Sequence, residues 1–195
     1  MWPDFEQVVG VLYELARGLY GSAEHPFPAF HVQSRALLES ALALPHQPYY
    51  ETFYDKLAAM VRSIAANHAL EDGNKRLAVT VLHSTLLVNG YTYLWSDDDA
   101  VELMLRCASG ETDYVWLAEF IEVWTVIGEP VPLTREAVES AIAERRHFAQ
   151  DLLEDEPLLA ALFRLFQAVV REHARGRIDE ASLALVLEMR RRRSG

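Results

Sequence analysis

Cysteine is nearly missing from this chain: Cys107 is the single example among 195 residues. One thiol excludes an internal disulfide framework and suits a reducing compartment. Its plain reading is a small buried hydrophobe on a helix. Long apolar runs are missing too, so no segment is expected to span a bilayer. The start, Met1-Trp2-Pro3-Asp4-Phe5-Glu6, lacks the basic residues that open a signal peptide, and a cytoplasmic protein away from the membrane is expected. Positive charge is scarce in the first two thirds. Residues 1–130 hold 7 Lys and Arg against 18 Asp and Glu, a net of −11, whereas residues 131–195 hold 11 of each. Such a surface does not grip a nucleic-acid backbone and favours a basic protein partner instead. There is no Walker-type Gly-x-x-x-x-Gly-Lys-Ser/Thr loop, no His-Glu-x-x-His zinc helix, no internal repeat and no low-complexity segment.

What remains is apolar periodicity at helical spacing, punctuated by caps and stops. Residues 4–20 read as an amphipathic helix through Phe5, Val8, Val9, Leu12, Leu15 and Leu19, with Gly21 as its stop. Pro26 and Pro28 mark an extended loop, and residues 32–44 a short helix ended near Pro45. Helix 56–68 carries Leu57, Val61, Ile64 and His68 on one face, so the imidazole continues an apolar stripe. Helix 75–88 is apolar round most of its circumference and reads as the buried centre. His83, on nearly the same face as Arg76, reads as a core histidine, and Asn89-Gly90 is a stop. Ser96 caps the next helix, and the carboxylates of Asp97, Asp98 and Asp99 suit its positive end better than they suit a metal. Gly110 ends that helix, and residues 113–127 form another. Gly128-Glu129-Pro130-Val131-Pro132 is the best boundary, dividing the chain into domains 1–128 and 129–195. Beyond it, Thr134 caps a helix of about 135–153. Pro157 opens one of about 156–174. Asp179 caps a last helix that runs out in Arg190-Arg191-Arg192-Arg193.

Between helices 56–68 and 75–88 lies the one dense set of polar groups, His68-Ala69-Leu70-Glu71-Asp72-Gly73-Asn74-Lys75-Arg76. The loop opens the N-terminus of a helix, where unpaired backbone N–H groups and the helix dipole favour an anion. Gly73 allows close backbone approach to a ligand. Asn74, Lys75 and Arg76 add donors and charge suited to phosphate oxygens. Asp72 offers oxygen to a hard cation such as Mg²⁺. Imidazole is the side chain suited to proton transfer near neutral pH, which makes His68 the candidate general base. These parts fit transfer of a phosphorus group from a nucleotide to a protein hydroxyl.

The same residues resemble the Fic/Doc family, whose pattern runs His-x-Phe-x-(Asp/Glu/Asn)-(Gly/Ala)-Asn-(Gly/Lys)-Arg. His68, Asp72, Gly73, Asn74, Lys75 and Arg76 stand at the matching places, while Leu70 replaces the usual Phe and Ala69 the common Pro. Leu37-Leu38-Glu39-Ser40-Ala41-Leu42-Ala43, Leu86-Leu87-Val88-Asn89-Gly90-Tyr91 and Ala108-Ser109-Gly110-Glu111 are similar to landmarks of Doc-type members, so the likeness covers roughly residues 10–125. The resemblance implies an all-α Fic/Doc helical fold with a short flap, often a β-hairpin, and here additional C-terminal helices. It places the flap at Tyr49, Tyr50, Glu51 and Thr52, where a target segment is received as an added strand.

The resemblance also implies ATP and Mg²⁺ as cofactors, a protein substrate, and an antitoxin partner. Fic-type members mostly transfer AMP. Doc-type toxins transfer the γ-phosphoryl group, with elongation factor Tu as the familiar target, and so inhibit translation. Lys75 tilts the expectation toward phosphoryl transfer, because AMP transfer needs room in the anion loop for the β- and γ-phosphates, and a lysine brings a long stem and a charge there. Some Fic proteins carry an inhibitory Ser/Thr-x-x-x-Glu-Gly/Asn helix; Ser140 and Glu144 match it in part, and Arg145 breaks its last position. The reading from another class is a non-catalytic helical binding module whose loop is only structural.

Overall fold

The computed structural model describes residues 1–20 and 31–155, with side chains throughout except at 98 and 146–155. Its elements are α1 (Phe5–Gln7), a π-helical turn (Val8–Leu12), α2 (Tyr13–Tyr20), α3 (Arg35–Ala43), a 3-10 turn (Leu44–His46), α4 (Phe53–Ala66), α5 (Asn74–Val88), β1 (Tyr91–Tyr93), α6 (Asp97–Ser109), α7 (Tyr114–Trp124), β2 (Thr125–Ile127) and α8 (Arg135–Asp155). The fold is all-α in character, with one small two-stranded sheet.

Caps written into the sequence set most helix starts. Asp4, Thr52 and Ser96 each open a capping box, with Gln7, Asp55 and Asp99 returning the hydrogen bond. Asp113 accepts from the Trp116 N–H at 2.8 Å, and Thr134 from Ala137 at 3.3 Å. Gly110, in a left-handed conformation, ends α6. Helix α5 is the axle of the core. Every residue from Leu77 to Val88 is buried, with α4 packed along one side and α2, α6 and β1 around it. His83 is fully buried, accepts from the Trp95 indole at 3.0 Å through Nε2, and stacks on Tyr93 at 4.0 Å. It is a core histidine.

Several expectations change. Residues 125–127 are strand rather than helix: β2 pairs antiparallel with β1, Tyr91 opposite Ile127 and Tyr93 opposite Thr125. This sheet ties the exit of α5 to the exit of α7, and Gly128 N–H extends it by donating to Gly90 at 2.9 Å. The flap segment forms no hairpin. Residues 47–52 are a turn that feeds Thr52 into its capping position on α4. The chain divides into compact units at Met1–Ala143 and Glu144–Gly195, inside α8, and not at the 128–132 linker. Val131 N–H donates to Leu87 at 3.2 Å and Val138 and Ile142 are fully buried, so the start of α8 belongs to the first unit. The stop at Gly21, the proline loop at 26–28 and the helices expected beyond residue 155 lie outside the described residues.

Candidate functional site

Helix α4 ends two residues earlier than its apolar stripe foretold. Asn67 is its C-cap, and His68 takes φ of 53°, the single positive φ outside glycine among the described residues. A left-handed residue just past a helix is the usual way to turn the chain out of it, normally with glycine. Histidine there costs about 1–2 kcal/mol of backbone strain. The consequence is a correction: His68 does not continue the Leu57–Val61–Ile64 face into the core, and its side chain is exposed. Strain of this kind collects where a side chain has a task.

The loop that follows is held from two directions. From below, Asn74 clamps it. Leu70 N–H donates to Asn74 Oδ1 at 2.9 Å, and Asn74 Nδ2 donates to the Leu70 carbonyl at 2.8 Å, both in the interior. Asn74 was expected to face phosphate; instead its amide is spent on loop shape, with Leu70 and Ala69 plugged into the core beneath. From the side, an extended segment at residues 31–34 lies antiparallel to the loop. Val32 bridges Leu70, Ser34 N–H donates to Ala69 at 3.1 Å and Glu71 N–H to His31 at 3.2 Å. The His31 ring adds a 3.5 Å contact to the Glu71 carboxylate.

Gly73 starts α5 with φ of 87°, and no side chain caps that start. The first-turn N–H groups of α5 therefore face the loop mouth with the positive end of the dipole. Asp72 and Arg76 flank it and pair with each other at 3.1 Å, while the second Asp72 oxygen accepts from Gly73 N–H. Lys75 is exposed. Exposed imidazole, uncapped helix start, carboxylate and two cations thus share one short turn.

The other expected site residues fall elsewhere. Thr52 caps the end of α4 remote from His68, so Tyr49, Tyr50, Glu51 and Thr52 do not form the strand beside the loop; residues 31–34 do. Sequence reasoning missed His31, Val32 and Ser34, because a bridge between residues 32 and 70 leaves no local pattern. The one available signal was Ser34 itself, which caps α3 by accepting from Leu37 and so ends the extended stretch. Ser140 and Glu144 lie on α8, exposed, on either side of the division between the units. Ser96 and Asp99 form the capping box at the start of α6.

A model of the Fic/DOC family matches residues 6–86, which include the whole 68–76 loop. The chain is also 38% identical over 90 residues to Toxin Doc of Mycolicibacterium smegmatis, an alignment spanning 42% of this chain and 68% of that relative. No solved structure gives a significant match. A helical domain with this loop, matched in this way, belongs to the Fic/Doc family. Its similarity to a named relative is to a Doc toxin. Among the described residues no helix is long and apolar enough to cross a membrane.

Proposed function

We propose that this protein is a Doc-like toxin that transfers the γ-phosphoryl group of ATP to a hydroxyl of a target protein. The observation that supports this best is the exposed His68 imidazole on the loop that leads into the uncapped start of α5. In this reading the target hydroxyl gives its proton to His68. Its oxygen bonds to the γ-phosphorus, the bond from that phosphorus to the β,γ-bridging oxygen breaks, and ADP leaves. The first-turn amides of α5, Lys75 and Arg76 hold the phosphate oxygens and offset the charge spread over them in the transition state. Asn74 acts through Leu70, keeping the turn in shape.

Asp72 fits Mg²⁺. It is an exposed carboxylate with each oxygen accepting one hydrogen bond and a lone pair to spare, and Mg²⁺ ordinarily takes one or two carboxylates and fills its shell with phosphates and waters. When bound, the ion neutralises phosphate charge. Lys75 supports phosphoryl over AMP transfer, since a lysine at this position brings a stem and a charge to the anion loop, where two deeply bound phosphates would need room. Elongation factor Tu is the candidate target, blocked translation the consequence, and an antitoxin protein the natural partner.

Two radiolabels test the reading. Label from γ-³²P-ATP is expected on a protein in a bacterial lysate, and label from α-³²P-ATP is not. The reverse pattern makes the protein an AMP transferase. No label from either, or equal growth arrest by wild type and His68→Ala, leaves a binding module and ends the catalytic reading.

A further inference from the structure

Along α4, on the way to His68, runs a groove of about 290 Å³ lined by Leu44, Tyr50, Arg62, Ser63, Asn67 and Tyr114, among others. That volume is at the small end for ligand pockets, enough for a side chain and too little for a nucleotide. Its distinctive occupant is Arg62. Arg17, Arg35, Arg76, Arg106 and Arg135 each lie against a carboxylate. Arg62 has no carboxylate partner among the described residues. Its Nε–H donates to the Thr112 carbonyl at 2.8 Å, which fixes the guanidinium plane and leaves its other N–H donors for something else.

The acids next to Thr112 are engaged elsewhere. Asp113 caps α7 by accepting from Trp116, and Glu111 accepts from the Ser109 hydroxyl at 3.0 Å. So a half-buried cation in a strongly acidic domain stands with no carboxylate partner among the described residues. The rings of Tyr50 and Tyr114, edge to face at 5.1 Å, wall the same groove and bring phenol groups to it. A guanidinium locked in plane beside the Ser63 side chain is built for a carboxylate, which it can bind through two parallel hydrogen bonds.

We infer that this groove receives an acidic side chain of the protein substrate and so sets which hydroxyl is modified. This rests on the transferase reading above. Asn67 lines the groove and is the chain neighbour of His68. Arg62 precedes Asn67 by about 7 Å of helix axis at 1.5 Å per residue. An extended peptide advances roughly 3.3 Å per residue. A carboxylate on Arg62 therefore belongs to an Asp or Glu roughly two to four residues from the acceptor Ser or Thr. Tyr50, expected to contact the target as part of a flap, contacts it here as a groove wall.

The test uses the full chain, ³²P-labelled ATP and a bacterial lysate, with the modified site mapped by mass spectrometry. The expected site carries Asp or Glu within two to four residues of the modified hydroxyl. Changing that acid to Lys in the target is expected to raise KM for wild-type enzyme at least about tenfold with kcat little changed. Arg62→Glu is expected to lose the original target to a similar degree, to recover on the Lys-bearing target, and to bind ATP as wild type does. A mapped site with no acid within four residues overturns the inference, as does unchanged KM after the target's acid is replaced. Loss of ATP binding by a folded Arg62→Glu protein overturns it too, by giving the cation to the nucleotide. If Arg62→Glu does not fold, the mapped site and the altered target still decide with wild-type enzyme. No labelling at all by wild type overturns the transferase reading and this inference together.

Discussion

Replace Asn74 by alanine and two buried backbone groups lose their partners. Leu70 N–H and Leu70 C=O sit 2.9 and 2.8 Å from the Asn74 amide, and Leu70 is 2% exposed. A buried polar group stranded in this way costs about 1–3 kcal/mol, so the pair is worth roughly 2–5 kcal/mol once some water enters the space. That is a large share of the stability of an ordinary domain, about 5–15 kcal/mol. Asn74→Asp separates the two bonds: it keeps an acceptor for Leu70 N–H but sets oxygen against the Leu70 carbonyl. Urea denaturation measures the loss, and hydrogen exchange at the Leu70 amide locates it. Exchange is expected to quicken in Asn74→Ala and less in Asn74→Asp. An Asn74→Ala protein with wild-type stability and wild-type exchange but weakened ATP binding would refute the reasoning, because the amide would then serve the ligand and not the loop.

Three further outcomes follow from the geometry. His68→Gly is expected to be more stable than His68→Ala by about 1 kcal/mol in denaturation, since glycine relieves the left-handed backbone and alanine does not; both lose transfer, and equal stability would remove the strain argument. His83→Leu takes away the acceptor used by the Trp95 indole and is expected to cost about 1–3 kcal/mol; a loss below about 0.5 kcal/mol would make that bond unimportant. Burial pushes the Cys107 thiol up to about 12 from an ordinary 9.0. Above pH 9 the unfolded chain thus binds fewer protons than the folded one, and stability falls as pH rises from about 9 toward about 12. Cys107→Ala is expected to flatten that part of the pH profile, and a thiol reagent at pH 8 to react only as fast as the native protein opens.

Helix existence was legible because caps and stops are local. Ser96, Gly110 and Thr134 act within a turn of themselves, and each stands where the pattern put it. The 68–76 loop was legible for the same reason, as consecutive residues carrying its whole donor set. What escaped depends on pairing across the chain or on local backbone geometry that residue type does not report. Tyr91–Tyr93 and Thr125–Ile127 are too short to show a period of two, and only pairing across the fold makes them strands. The orientation of His68 hung on one backbone angle that apolar spacing cannot report. Asn74 looked like a ligand donor because its type suits phosphate, while its actual partner, Leu70, is an apolar residue that contributes only backbone. The segment at 31–34 joined the site through a bridge that reaches across α3 and α4.

Helix α5 is buried all round, and that has a consequence for the order in which the molecule comes into being. Helices α4 and α5 and the turn between them are contiguous, so the site is closed by the most local contacts in the fold, which form early. Helices α4 and α2 cover α5 from earlier in the chain, and the rest of its cover comes later, from α6 and from β1, which the strand at Thr125–Ile127 holds by pairing. At a synthesis rate of about 5–20 residues per second, the ribosome needs roughly 3–10 s to travel from the loop to that strand. For that interval the nascent protein holds a formed turn on an apolar helix with the α6 and β1 side of its surface still bare. Fragments that stop short of Thr125 are expected to aggregate, so the fold is complete only once the second strand has been made.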